Sequence, residues 1–293
     1  MNVETAIPGQ AMTIHTDDGG VLQARLFEPQ TPTHGPVLIA SALGIAQTFY
    51  APFASWMAKR GHTVMTFDLR GIGVSRTETY RRSLRGLNID LLTWARVDFA
   101  AAVSALCMHA GRERISLVGH SLGVHNAGMT RTATQSRIEK VISVAAGSGY
   151  WRDWASPSKL KAPLMLHLAG PLLTPLFGYF PGRRLRMVAD LPAPVMRQWT
   201  RWCRHPEFAW GSEPNEVAPS LISARFRVDA FSFTDDDAMT RSCTQKLLEA
   251  MPNAPSTLRV LAPGDVGLKA IGHIGAFRQN AASLWPVLAE GLC

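Results

Sequence analysis

Apolar residues in the first half of the chain form short runs that predict strands, and these runs alternate with segments in which apolar residues recur at helical spacing. Alternating patterns on either side of Asp17-Asp18-Gly19-Gly20 predict an antiparallel hairpin over residues 12–16 and 21–27, because Asp-Gly favours a tight turn. The order of elements predicts an α/β fold with a mostly parallel central sheet and helices on both faces. The further predicted strands are residues 36–42, 63–67, 114–119 and 138–145, and the predicted helices are residues 49–60, 90–110 and 122–134.

The alternation of strands and helices stops between residues 147 and 219. This stretch holds five of the eight tryptophans and many prolines. We therefore predict an inserted lid (cap) of short helices over residues 147–219, and an α/β core formed by residues 1–146 and 220–293. Regular order resumes after the lid, with strands predicted at residues 224–233 and 257–261 and helices at residues 238–251 and 274–292.

Leucines are frequent between Pro163 and Phe180, so this segment has to be compared with a membrane span. It contains His167, three prolines and two glycines, and it is barely long enough to cross a bilayer. We predict no transmembrane span here, but a buried or pocket-lining segment. With the tryptophans, five of its residues either form the apolar wall of a substrate pocket or bury the lid against the core: Leu172, Leu173, Leu176, Phe177 and Phe180.

The composition is that of a globular protein with a sizeable core, since 46% of the 293 residues are hydrophobic and 18% are charged. The formal net charge of +8 raises the question of a nucleic-acid partner. The arginines lie in short scattered groups without any motif that reads nucleic acid, so no such partner is predicted. One group, Arg183, Arg184 and Arg186, suggests instead a substrate that carries a negative group.

The cysteines and the first residues bear on the compartment. The four cysteines are far apart and have neither disulfide-like pairing nor metal-ligand spacing, which indicates free thiols in a reducing compartment. Residues 1–10 lack the basic and apolar regions of a signal peptide. Both observations favour a cytoplasmic location. The cysteines are Cys107, Cys203, Cys243 and Cys293.

The stretch Gly119-His120-Ser121-Leu122-Gly123 carries the strongest chemical signal. It follows a predicted strand and precedes a predicted helix, which is the context of a G-x-S-x-G nucleophile elbow. Ser121 would then occupy a strained turn that projects its hydroxyl above the sheet. Gly119 and Gly123 would leave room where a Cβ would collide with the neighbouring strand or helix. We therefore predict that Ser121 is a nucleophile.

A serine nucleophile requires a base and an orienting carboxylate, which follow it on later loops in this type of chain. The predicted base is His273, which lies after the last predicted strand. Three consecutive acids, Asp235, Asp236 and Asp237, follow the strand that ends at Phe233. We favour Asp236 as the orienting carboxylate, and the spacing leaves Asp235 as an alternative.

Two backbone amides are expected to stabilise the oxyanion that forms when Ser121 attacks a carbonyl group. One is the amide of Leu122, directly after the nucleophile. The other is expected in the loop Ser41-Ala42-Leu43-Gly44, after the first buried strand, where we favour Leu43. Together these groups predict acyl transfer through a covalent acyl-enzyme.

These motifs resemble the α/β-hydrolase superfamily over nearly the whole chain. Besides the elbow and the acidic loop, the stretches that match are Asp68-Leu69-Arg70-Gly71-Ile72-Gly73-Val74-Ser75 and Gly272-His273. Gly147-Ser148-Gly149-Tyr150-Trp151, Trp199-Thr200-Arg201-Trp202-Cys203 and Ile271-Gly272-His273-Ile274-Gly275 look like a bacterial branch of predicted hydrolases, related to serine-aminopeptidase and monoacylglycerol-lipase-type enzymes. The resemblance implies a Ser-Asp-His hydrolase without a cofactor.

The chain departs from the superfamily pattern in two places. Ser41-Ala42 stand where the superfamily usually has His-Gly, which affects the shape of the predicted oxyanion loop. The acidic loop has three aspartates and no following proline, where the superfamily usually presents one aspartate and a proline.

The predicted function is therefore that of an esterase- or lipase-like serine hydrolase. Its predicted substrate is a small carboxylic ester with an apolar acyl part, or alternatively an amide or thioester. Two other functions stay open, namely an acyltransferase with the same triad and a non-catalytic ligand-binding protein on the same fold. A dehalogenase or epoxide hydrolase is disfavoured, because those enzymes need an aspartate where this chain has Ser121.

Overall fold

An eight-stranded sheet forms the centre of the fold. The computed structural model describes residues 8–185, 187 and 189–292. The strands are β1 (Gln10–His15), β2 (Val21–Phe27), β3 (Val37–Ala40), β4 (Val64–Phe67), β5 (Ile115–His120), β6 (Ile138–Val144), β7 (Tyr179–Phe180), β8 (Leu191–Pro192), β9 (Arg227–Phe233) and β10 (Ser256–Leu261). The order in the large sheet is β1-β2-β4-β3-β5-β6-β9-β10, and the two further strands, β7 and β8, pair with each other. The strand β2 pairs antiparallel with β1 and β4, and all other neighbours in the large sheet are parallel. The mostly parallel α/β sheet predicted from the sequence is confirmed.

Helices cover both faces of this sheet and form most of residues 147–219, the predicted lid. Two of them contain a π turn, at Trp94–Asp98 and at Leu164–Ala169. In the described residues the α-helices are α1 (Ala51–Ala58), α2 (Leu91–Ala110), α3 (Leu122–Met129), α4 (Thr132–Gln135), α5 (Ser158–Phe177), α6 (Ala193–Arg204), α7 (Phe208–Ser212), α8 (Ala218–Ser223), α9 (Arg241–Glu249) and α10 (Trp285–Ala289).

The two faces of the sheet bury separate sets of apolar side chains. Because successive residues of a strand point to opposite faces, Val37 and Ile39 of β3 pack in one cluster and Leu38 and Ala40 pack in the other. The first cluster includes residues of α1 and α10, whereas the second includes residues of α2, α3 and the lid. All four β3 residues are buried, which is the environment that the continuous apolar run predicts.

The prediction of one final helix over residues 274–292 is wrong. This segment forms two short 3₁₀ turns, Gly275–Phe277 and Gln279–Ala281, and only then the helix α10. Arg278 between the turns has an extended backbone, and Pro286, which has no N–H to donate, is accommodated only in the first turn of α10. The apolar residues that suggested one helix are instead anchors, since Phe277 packs edge-on against Phe53.

The helix predicted over residues 122–134 is also divided, because an extended Thr130 separates α3 from α4. The other predicted strands and helices are present with ends that move by a few residues. For example, the helix predicted to begin at residue 238 begins at Arg241, where the side chain of Thr240 accepts a hydrogen bond from the amide of Cys243.

Residues 147–219 contribute no strand to the large sheet, but they form more than the short helices that the sequence predicted. They contain the 20-residue helix α5 and the small β7–β8 sheet, which the sequence pattern did not predict. The predicted boundary at residue 219 falls inside α8. Trp202 is completely buried, and the other lid tryptophans that the sequence singled out pack against the core cluster. This packing favours the interpretation in which the tryptophans bury the lid against the core.

The sequence predicted a buried or pocket-lining segment over residues 163–180. The helix α5 is largely exposed, so the buried alternative is wrong for most of its length. Leu172 and Leu176 are 58% and 68% exposed, while Phe180, beyond the helix, is completely buried. By length and composition both α2 and α5 could cross a membrane, but 56% of the apolar window of α2 is buried in the core against 22% for α5. The high burial of α2 is typical of a core helix in a globular domain.

Candidate active site

The chain turns sharply between β5 and α3 at Ser121. This residue has φ 52° and ψ −114°, a backbone conformation that costs a residue with a Cβ roughly 1–3 kcal/mol. The surrounding sheet holds it there, since the Ser121 amide donates to the carbonyl of Val144 at 3.0 Å. The strained turn predicted for the nucleophile elbow is confirmed.

Gly119 and Gly123 lie where the elbow meets its neighbours. A Cβ on Gly119 would lie 2.9 Å from the backbone nitrogen of Val124 in α3. A Cβ on Gly123 would lie 2.2 Å from the carbonyl oxygen of Ala40 in β3. Both separations are far below a normal contact, so the predicted steric need for glycine on either side of Ser121 is confirmed.

Two loops bring a histidine and a carboxylate to Ser121. His273 lies after β10 and Asp236 after β9, and both strands end at the same edge of the sheet as β5 because all three run parallel. The Nε2 atom of His273 is 3.1 Å from the Oγ atom of Ser121, and its Nδ1 atom is 2.9 Å from Oδ2 of Asp236. The three residues favoured from the sequence therefore lie in one hydrogen-bonded series.

The three consecutive aspartates have different partners. Asp236 contacts His273 through Oδ2, and its Oδ1 accepts hydrogen bonds from the amides of Ala238 and Met239 at 2.9 Å each. Asp235 accepts from the Ile271 amide at 2.7 Å. The third aspartate of the loop accepts from the amide of Ser158 at the start of α5. Asp235, the alternative that the sequence left open, thus holds the backbone of the histidine loop and not the imidazole.

The environment of Asp236 favours its charged form. Burial would raise the pKa of this carboxyl, but the hydrogen bond and charge of His273 and the two backbone amides outweigh burial and hold the pKa below its usual value. An ionised carboxylate only accepts hydrogen bonds, so Nδ1 of His273 must carry a proton. In the neutral ring, Nε2 is then the acceptor that faces the Ser121 hydroxyl, as a general base requires.

The loop after β3 lies beside the elbow. Ala40 of β3 is paired with Gly119 of β5, so Leu43 and Leu122 follow adjacent strands at the same edge. Among the described residues, neither of these two backbone amides has a hydrogen-bond partner in the protein. Leu122 is also the first residue of α3, where the partial positive charge of the helix N-terminus is located. Both features suit donors to an oxyanion.

A buried chain of three hydrogen bonds, which no sequence pattern predicted, connects this loop with the histidine loop. The Ala42 amide donates to Oη of Tyr50 at 2.9 Å, and Tyr50 and Nδ1 of His120 are 2.8 Å apart. Nε2 of His120 lies 2.8 Å from the carbonyl oxygen of His273. A carbonyl only accepts, so His120 donates through Nε2 and accepts a hydrogen bond from the Tyr50 hydroxyl at Nδ1. His120 thus holds the backbone of the loop that carries the predicted base.

Two buried histidines near the elbow are held neutral. Burial lowers the pKa of His120 to about 3 and that of His125 to about 4. His125 donates from Nε2 to the carbonyl of Gly147 at 3.0 Å, where the core chain enters the lid. In the unfolded chain both rings would take up a proton near pH 6.5. The free energy of unfolding therefore falls as the pH drops below 6.5.

We expect His125→Gln to reduce this acid sensitivity. The wild type should lose about 2 kcal/mol more free energy of unfolding than the variant between pH 7.5 and 5, because only the wild-type ring binds a proton on unfolding. Urea unfolding at both pH values measures the difference, and groups common to both proteins cancel. Equal losses in the two proteins would contradict a neutral His125.

The remaining candidate groups do not assemble into a second centre within the residues that the structure describes. No group of three or more His, Cys, Asp and Glu side chains lies close enough together there to bind a metal ion. Cys107, Cys203 and Cys243 are buried free thiols, and Cys293 lies outside the described residues. Arg183 and Arg184 are exposed in the lid, and Arg186 is also outside the described part of the chain.

Comparisons with known proteins agree with this architecture. The sequence profile of the alpha/beta hydrolase family matches residues 33–286. The comparison with curated proteins gave no match. Among solved structures, the alpha/beta hydrolase GrgF from Penicillium sp. sh18 has a TM-score of 0.60 at 17% identity, over 97% of this chain and 99% of that one.

Two other solved structures are similar over nearly their full lengths. An esterase from Pyrococcus furiosus has a TM-score of 0.55 at 14% identity, over 97% of this chain and 91% of that one. The thioesterase domain from the curacin biosynthetic pathway has a TM-score of 0.56 at 15% identity, over 96% and 99%. By contrast, this chain covers only 33% of the similar dipeptidyl peptidase 4 from Porphyromonas gingivalis. At these identities the likeness concerns the fold alone.

Proposed function

This chain belongs to the alpha/beta hydrolase family, and we propose that it is a serine hydrolase that cleaves a carboxylic ester with an apolar acyl part. The observation that carries the proposal is the hydrogen-bonded series Asp236–His273–Ser121, with Ser121 on a strained elbow. The order of contacts, with Asp236 at Nδ1 and Ser121 at Nε2 of His273, supports a Ser-His-Asp triad.

In the proposed mechanism, Nε2 of His273 removes the hydroxyl proton of Ser121 while Oγ attacks the carbonyl carbon of the ester. The charge moves to the carbonyl oxygen, where the amides of Leu122 and Leu43 stabilise it. Protonated His273 then donates its proton to the leaving alcohol, and an acyl-enzyme remains on Ser121. Water, deprotonated by the same ring, releases the acid and restores Ser121. Asp236 keeps the ring oriented and stabilises the imidazolium throughout.

An ester is preferred to an amide as the substrate because resonance with nitrogen makes the carbonyl carbon of an amide less electrophilic than that of an ester. The folds shared with an esterase and a thioesterase domain support an ester or thioester as substrate. A relation to serine-aminopeptidase and monoacylglycerol-lipase-type enzymes, suggested by the lid motifs, belongs to the same proposal. Leu43, in the loop beside the elbow, is only half-buried, and the exposed part of this apolar side chain supports an apolar acyl part.

Labelling with a fluorophosphonate, followed by peptide mass spectrometry, tests the proposal. We expect the label on Ser121 in the wild type and none in Ser121→Ala. Ser232→Ala is the matched control, since Ser232 is a buried serine of β9 whose hydroxyl has no hydrogen-bond partner among the described residues, and this change should leave labelling intact. The same proteins should then be assayed on p-nitrophenyl esters of graded chain length.

Folded wild-type protein that does not react with the probe would overturn the enzyme proposal and favour a non-catalytic binding protein. Labelling without release of acid from the esters, but with transfer to an added alcohol, would replace hydrolysis by acyl transfer. Circular dichroism on each variant establishes that it is folded.

A further inference from the structure

The lid helix α5 presents a row of exposed leucines. These leucines recur at every fourth position, and each of the five is at least 50% exposed. Apart from Lys161 and His167, the exposed positions between the first and the last of them are apolar. We call this row the leucine stripe: Leu160, Leu164, Leu168, Leu172 and Leu176. Contiguous apolar surface of this kind is uncommon on proteins that have no partner.

The π turn keeps the leucine stripe on one side of α5. In a regular α-helix a four-residue repeat drifts by about 40° at each step, because one turn takes 3.6 residues. The π turn Leu164–Ala169 takes more residues per turn, since its hydrogen bonds connect residues five apart, and it therefore reduces the drift. The local distortion and the spacing of the leucines thus support the same exposed face.

The leucine stripe is not needed to hold α5 in the lid. A second row with the same spacing, Ala162, Leu166, Gly170 and Thr174, is buried and forms the packing face of the helix. At Gly170 the contact is so close that a Cβ would lie 2.8 Å from the side chain of Met196 in α6. The helix therefore has a complete internal face, and the leucines face away from the rest of the protein.

Basic side chains lie at both ends of the leucine stripe. Lys159 and Lys161 are exposed at the start of α5, and Arg183 and Arg184 are exposed shortly after its end. Arg85 also lies at this end, because its Nε atom donates to the carbonyl of Phe177 at 3.2 Å. The sequence has no Asp or Glu from residue 154 to residue 189. Within residues 154–189 the charged side chains around the exposed apolar row are therefore all basic. From outside this stretch, the carboxylate of Asp237 contacts the Ser158 amide at the start of α5.

We propose that the leucine stripe docks on an anionic lipid bilayer. The helix would lie parallel to the surface, with the leucines at the boundary of headgroups and acyl chains and the lysines and arginines at the level of the lipid phosphates. The stripe is about 24 Å long at 1.5 Å per residue, which allows all five leucines to reach the surface together. This inference is independent of the proposed hydrolase activity.

The charges argue against a second copy of the chain as the occupant. In a two-fold dimer, parallel α5 helices would place the lysine ends side by side, and antiparallel helices would place lysines beside arginines. Either arrangement opposes like charges, which is unfavourable. A span across the bilayer is equally unsuited, because the buried row of α5 packs against the lid.

Co-sedimentation of the full-length protein with vesicles tests the proposal. We expect binding to phosphatidylcholine vesicles that contain about 30% phosphatidylglycerol, and much weaker binding to phosphatidylcholine alone. The Leu164→Asp/Leu172→Asp variant should bind at least about 10-fold more weakly, because two charges replace exposed apolar surface that the bilayer would bury. Met108→Asp/Ile222→Asp is the matched control. These two residues lie outside α5 and are 79% and 50% exposed, and their substitution changes the net charge by the same amount.

A second pair of variants tests the basic frame. Lys159→Gln/Lys161→Gln should weaken binding by about 5-fold for each lysine and reduce its dependence on salt. Unchanged vesicle binding in the leucine variant, or equal losses in the control variant, would overturn the proposal. A second result would also overturn the proposal: the wild type is a dimer in sedimentation velocity, the Leu164→Asp/Leu172→Asp variant is a monomer, and neither protein binds vesicles. Binding of the Ser121→Ala variant to the same vesicles separates docking from catalysis, because this variant keeps the leucine stripe and lacks the proposed nucleophile.

Discussion

Replacing Asp236 by asparagine should lower kcat on the best p-nitrophenyl ester by about 10⁴-fold, because the imidazole would lose the partner that fixes its tautomer. The amide group of the new side chain would direct an N–H at Nδ1 of His273, and Nδ1 can accept that hydrogen bond only when it carries no proton. The ring proton would move to Nε2, the atom 3.1 Å from the Ser121 hydroxyl, and Nε2 could no longer accept the serine proton. Steady-state kinetics at neutral pH measures the loss.

The matched control is Asp235→Asn in the same loop. Asp235 accepts a hydrogen bond from the Ile271 amide, and the oxygen of an asparagine can accept it as well. We expect this variant to keep activity within about 10-fold of the wild type. If Asp235→Asn were the more severe change, Asp236 would not be the triad carboxylate, whatever the distances in the folded protein.

The sequence could predict the elbow because its requirements are local. Gly119, Ser121 and Gly123 are close in the chain, and their backbone conformations and contacts with the adjacent strand and helix follow from the turn itself. The same is true of the parallel strands, whose continuous apolar runs reflect burial on both faces. Periodicity and turn chemistry therefore contain most of the information on the core.

The choice among the three aspartates could not be made from the sequence, because it depends on how two distant loops meet. Asp236 and His273 are 37 positions apart, and one residue along the chain decides whether a carboxylate reaches the imidazole or the backbone of Ile271. The chain of contacts through Tyr50 and His120 connects loops that are even farther apart, and no short motif marks it.

Apolar side chains misled the sequence interpretation in two places for opposite reasons. Phe277 and Trp285 lie within residues 274–292, where one long helix was predicted, but they are anchors of an irregular segment that is packed against α1. The leucines of α5 suggested a buried or pocket-lining segment, but the helix uses Ala162, Leu166 and Gly170 as its internal face and leaves most of its leucines outside. Hydrophobicity indicates a need for an apolar environment and does not say whether the chain itself provides it.

The second large effect is expected at Gly123, where alanine should lower the free energy of unfolding by about 3 kcal/mol and kcat/KM by about 10²-fold. The added Cβ would lie 2.2 Å from the carbonyl oxygen of Ala40, and a backbone atom inside the sheet cannot turn away as a side chain can. Either β3 or α3 must move. Both carry groups of the proposed site, so stability and activity should fall together.

Gly128→Ala provides the comparison on the same helix. There a Cβ would lie 2.6 Å from Cδ2 of Leu221, the end of a side chain that can change its rotamer. Alanine also gains about 1 kcal/mol of helix propensity over glycine, which offsets that adjustment. Urea unfolding and ester hydrolysis should therefore leave Gly128→Ala near the wild type. If Gly123→Ala were tolerated as well, the elbow could yield at β3, and Ser121 would not depend on the close approach of strand and helix for its position.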